Sequence, residues 1–159
     1  MEQFGTTDVI DRDWVVTTLR DQTVPAGHSV LAVRHGGQNC DYLDSVCEFF
    51  GIAVQYISAG EDLRPILTSL RPMAVVADLD GEVQDGFHVM KMTADYDRSV
   101  PILLLTSTDP AMLGAIDAVQ EAWGLMHVVT TADSAGIGVF VDFICQAARD
   151  AGRPRLMRV

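Results

Sequence analysis

Lysine is nearly absent from this 159-residue chain: ten of its eleven basic side chains are arginine, and Lys91 is the only lysine. Against 22 acidic residues this leaves a formal charge of -11. A chain this acidic does not neutralise nucleic-acid phosphates or adhere to an anionic bilayer without a local positive cluster, so neither a nucleic-acid nor a membrane partner is expected. Long apolar runs are missing as well. None approaches the roughly 20 residues that span a bilayer, and the opening MEQFGTTDVIDRD has neither the basic nor the apolar region of a secretory leader; a cytoplasmic location is expected. Cysteine is scarce, with three residues at 40, 47 and 145 that cannot all pair. Cys40 and Cys47 stand on a helical stretch, roughly 10 Å apart along its axis, beyond the reach of a disulfide. The thiols read as packed and reduced rather than as a redox pair or metal site.

What is there suits one ordinary domain: 48% of residues are hydrophobic, and a chain of this length builds a core without disulfide or metal staples. Residues 1–27 read as an N-terminal extension in which Asp11 to Arg20 forms a short helix presenting Trp14, Val15 and Leu19. From there a regular alternation runs through a domain spanning 28–150. Apolar runs at Ser29–Val33, Ile52–Ile57, Met73–Ala77, Pro101–Leu105 and Leu125–Val129 predict five strands. Between and after them, helical spacing predicts helices over Asn39–Phe50, Glu61–Leu70 and Phe87–Ala94, one starting at Asp109-Pro110, and a last one starting near Ser134. The end frays from about Arg149 into a basic tail, 151–159. Strands apolar on both faces, each followed by a helix, define an α/β class with an open, doubly wound parallel sheet.

In such sheets ligands bind beyond the carboxyl ends of the strands. Strand one ends in Arg34-His35, strand three in Asp78-Leu79-Asp80-Gly81, strand four in Thr106-Ser107 and strand five in Thr130-Thr131. A carboxylate at the tip of a central apolar strand must be paired or hydrogen-bonded, which makes Asp78 the first candidate.

Asp78 at the end of the third strand, Asp85-Gly86-Phe87 shortly after it, and PILLLT ending in Thr106 resemble a response-regulator receiver domain over about residues 28–148. The resemblance implies a flavodoxin-like sheet of order 2-1-3-4-5 and a bacterial two-component or phosphorelay role. It implies Asp78 as phosphoacceptor from a histidine kinase, Thr106 as the switch hydroxyl and Asp80 as a backbone ligand of Mg²⁺. Other positions depart from the family. Arg34 and His35 stand where an acidic pair holds the metal, so a hard cation loses oxygen ligands and meets a fixed positive charge. Thr131 stands at the position of the family's fifth-strand lysine, and Lys91 lies on the third helix. The expectation is an atypical receiver without a cofactor, binding Mg²⁺ weakly or not at all through Asp78 and Asp80, in which Arg34 pairs with Asp78 in the metal's place.

No output domain fits after residue 148, so the chain is expected to be a stand-alone, non-enzymatic module acting through a protein partner, either a kinase or a downstream regulator. Homodimerisation through the fourth and fifth helices is also expected, because Leu113, Val139 and Phe143 broaden their apolar stripes. Two other readings stand beside this one. AVVADLDGEV also resembles the first motif of haloacid-dehalogenase-type phosphohydrolases, with Asp78 as nucleophile and Asp80 as acid/base. Alternatively the cleft beside Arg34 and His35 binds a small anion.

Overall fold

The β-branched, apolar stretch Ser29–Arg34 forms β1, the first of five strands in the computed structural model, which describes residues 28–34, 40–58, 61–79, 86–106, 109–132 and 136–152. After it come α1 (Asp41–Phe49), β2 (Ala53–Ser58), α2 (Leu63–Leu70), β3 (Ala74–Asp78) and α3 (Gly86–Tyr96). The order continues with β4 (Ile102–Leu105), α4 (Pro110–Trp123), β5 (Val128–Thr131) and α5 (Ile137–Gly152). The strands make one parallel sheet of order β2-β1-β3-β4-β5, as the sequence predicts. The extension 1–27 and the tail beyond residue 152 lie outside the described residues.

The period-2 geometry of strands divides the core in two. Val30, Ala32, Ala74, Val76, Leu103 and Leu105 pack under α1 and α5 against Leu43, Val46, Phe140 and Ile144. Leu31, Val33, Val75, Ala77, Ile102 and Leu104 face the other way, against Leu63, Leu67, Met90 and Ile116 of α2, α3 and α4. The three inner strands are covered on both sides, and this is why they read as unbroken apolar runs.

Local signals set the helix ends. The carboxylates of Asp62 and Asp109 accept from the backbone N–H of Arg64 and Ala111, each at 3.1 Å, and Pro110 fits the first turn of α4. Arg71 closes α2 in the left-handed region, φ 50° and ψ 59°, ahead of Pro72. At this amino end of the sheet a cleft of about 460 Å³ is lined by His28, Arg71, Tyr96, Asp97 and Ala151 among others.

Three expectations are corrected. β5 starts at Val128 rather than Leu125, because Gly124 turns at φ 69° and Leu125 N–H closes back on Gln120 O at 3.0 Å, so the buried Leu125 belongs to the end of α4. Arg149–Gly152 is helical, not frayed. Phe143 does broaden the apolar stripe of α5, but inward: it is 5% exposed, within the core under α1, and offers nothing to a dimer surface. Leu113 is half-buried against the opposite core half.

Candidate functional site

β1 and β3 are neighbours with Val33 opposite Ala77, so the next residue on each strand, Arg34 and Asp78, emerges side by side at the carboxyl end of the sheet. The Arg34 Nε–H is shared by both carboxylate oxygens of Asp78, at 3.1 Å to Oδ2 and 3.3 Å to Oδ1. Their side chains are only 16% and 18% exposed. A carboxylate this sheltered from water calls for a charge-assisted partner. The guanidinium supplies one from within the sheet.

Asp78 pairs in register with Leu105 of β4, one residue before Thr106. Thr106 is 2% exposed; its N–H donates to Thr131 O at 2.9 Å, while its Oγ1 is buried without a hydrogen-bond partner among the described residues. Thr131 ends β5 beside it, half-buried. The sheet thus brings Arg34 and Asp78 into contact and sets Thr106 and Thr131 on the adjoining strands. Lys91 is tied up elsewhere, 3.2 Å from Asp95 and 5.6 Å from the centre of the Trp123 ring. His35 and Asp80 lie outside the described residues.

Two supports of the site are not apparent in the sequence reading. The start of α3 is held against the end of β3 where Gly86 N–H donates to Leu79 O at 3.1 Å. A Cβ at Gly86 would come within 2.9 Å of Leu79 Cα, so only glycine permits this approach; its signal was the glycine of Asp85-Gly86-Phe87. On the other side of β1, Tyr56 OH donates to Asp44 Oδ1 at 2.6 Å and accepts from Cys40 N–H at 3.0 Å, fastening β2 to the start of α1. Burial, and then the bond to Asp44, push the Tyr56 phenol above its usual range. Burial likewise raises the Cys47 thiol, to about 12, and also raises that of Cys145. All three cysteines are free.

No family model and no curated protein matches this sequence. Solved structures do. The receiver domain of a signal transduction histidine kinase from Syntrophus aciditrophicus matches with a TM-score of 0.62 at 17% identity, over 83% of this chain and 98% of that one. A response regulator receiver protein from Sinorhizobium medicae matches with a TM-score of 0.58 at 15% identity, over 76% and 94%. The receiver domain of nitrogen regulatory protein C matches with a TM-score of 0.62 at 16% identity, over 80% and 98%. The chain has the receiver fold, a flavodoxin-like parallel sheet with helices on both faces. Among the described residues no helix is long and apolar enough to cross a membrane.

Proposed function

We propose that this chain is a signalling module of the two-component type that works by protein contact and without Mg²⁺-dependent phosphorylation. The observation that carries this reading is the Arg34 Nε–H spread across both oxygens of Asp78. In the metal-dependent chemistry of this fold a divalent cation would sit on that carboxylate and neutralise the incoming phosphoryl group. Here a fixed monovalent cation already occupies the carboxylate. The residues present suit a hard divalent ion poorly, since Arg34 offers no oxygen and repels it. Asp78 is accordingly held in one arrangement, and the partner reads a surface that does not depend on a phosphodonor. That partner is a histidine kinase or a downstream regulator of the same system, in a cytoplasmic bacterial setting.

The same contact weighs against the phosphohydrolase reading, in which Asp78 must attack phosphorus with a free carboxylate oxygen. It also weighs against the small-anion reading, because Asp78 already balances the charge of Arg34. The test is exposure of the purified protein to a small-molecule phosphodonor with and without Mg²⁺, read by intact mass. No Mg²⁺-dependent gain is expected. A gain of one phosphoryl group that disappears in Asp78→Asn overturns the reading, and turnover of a generic phosphomonoester abolished by the same substitution establishes an enzyme instead.

A further inference from the structure

β5 closes one side of the sheet with no strand beyond it among the described residues, and its sequence, Val128-Val129-Thr130-Thr131, is made entirely of strand-forming, uncharged residues. Exposed sheet edges normally carry lysine, proline or a bulge to prevent pairing with other chains. This one carries none. It also holds two of the large apolar side chains left in solvent, Val129 at 42% and, in its approach, Met126 at 60% exposure.

The hydrogen-bond parity identifies the groups that are free. Ile102 N–H donates to His127 O and Thr106 N–H to Thr131 O, each at 2.9 Å. Backbone groups alternate along a parallel strand, so Val129 also turns its polar groups toward β4, while Val128 and Thr130 present N–H and C=O outward. Their spacing suits a twofold axis at Val129. In an antiparallel pair of β5 strands about that axis, Val128 opposes Thr130 of the partner subunit and the two exchange both hydrogen bonds, and Val129 meets Val129 of the partner subunit in the closer, non-bonded position. His127 then faces Thr131 of the partner subunit, and Met126 faces Ala132. No two like charges are opposed.

Charge selects this edge over the other. Two copies of a -11 chain repel, and β2 would bring acid to acid: Asp44 is bonded to Tyr56, and Glu61 accepts from Ser58 N–H at the end of the strand. Beside β5 the charges are mixed. The Arg98 side chain comes within 3.5 Å of where a Cβ at Gly124 would sit, and Asp150 lies 3.7 Å from His127. We infer that a second copy of this chain docks on the β5 edge, joining two five-stranded sheets into one continuous ten-stranded sheet through Val128–Thr130. The inference does not depend on the state of Asp78.

The full-length chain is tested by sedimentation equilibrium across a concentration series, with amide hydrogen exchange at each concentration. A dimer is expected that tightens with added salt, as screening weakens repulsion between the acidic copies. Val128 and Thr130 amides should be protected in the dimer and exchange on dilution. Val129→Lys, which sets like charges against each other on the axis, is expected to weaken the dimer by roughly tenfold or more. Thr130→Pro removes an outward N–H without touching the β4 ladder and serves if the lysine variant fails to fold. A monomer at every concentration overturns the inference. So does a dimer that survives both substitutions, one whose Val128 and Thr130 amides exchange as in the monomer, or one abolished instead by Ala115→Arg on the outer face of α4.

Discussion

Arg34 and Asp78, the last residues of two adjacent parallel strands, form an ion pair at 3.1 Å in which one Nε–H serves both carboxylate oxygens. Removing one partner takes a charge-assisted contact from a sheltered charged group. Arg34→Ala is expected to lower unfolding stability at neutral pH by about 1–3 kcal/mol. Adding Asp78→Asn should recover part of that loss, which a double-variant cycle by urea denaturation measures. Arg34→Asp sets two carboxylates together, and titration calorimetry with Mg²⁺ or Mn²⁺ is expected to reveal divalent binding in that variant beyond that of the parent.

Tyr56 holds a hydroxyl between a helix start and an edge strand. Tyr56→Phe leaves Asp44 Oδ1 and Cys40 N–H without the bonds of 2.6 and 3.0 Å that they now share with it. The expected cost is about 1–2 kcal/mol, seen as a lower urea midpoint with an unchanged slope.

Two backbone positions should respond in opposite directions. Arg71 sits at φ 50° with a Cβ, and Arg71→Gly relieves that conformation, raising stability by about 0.5–1 kcal/mol. Gly86→Ala drives a methyl against the Leu79 backbone and is expected to destabilise by about 1–3 kcal/mol. Trimming Leu79 to alanine in the same protein should not rescue it, because the obstructing Leu79 Cα remains. Thermal unfolding of the three variants checks both signs.

Alkaline stability follows from the buried thiol. Cys47 releases its proton near 9.0 when unfolded but only at about 12 when folded. Between those values the unfolded chain binds fewer protons, so the stabilisation present below pH 9.0 is lost as pH rises toward 12, with a limiting slope of about 1.4 kcal/mol per pH unit. Tyr56, also raised, acts in the same direction. Cys47→Ala should make the decline from pH 9 to 11 shallower, as read by urea midpoints.

The parallel sheet was legible because its inner strands are buried on both faces, and an uninterrupted apolar run is the signature of that environment. Asp78 stood out for the converse reason, as a charge ending such a run. The start of β5 was misplaced because Leu125 is apolar in the service of a helix terminus, and burial alone does not distinguish the two uses. Phe143 widens the apolar stripe of α5 without marking a partner surface, because α1 covers a wider band of that helix than a single stripe requires. The Tyr56–Asp44 bond was invisible, since it depends on two side chains meeting across a turn, which no local pattern encodes.

His28 and Ala151, near the two ends of the described chain, line the same cleft at the amino end of the sheet, whereas Arg34 and Asp78 stand at its carboxyl end. The described part of the domain therefore begins and ends at the pole opposite the ion pair. A domain of residues 28–152 is suited to circular permutation, with a short linker bridging that cleft.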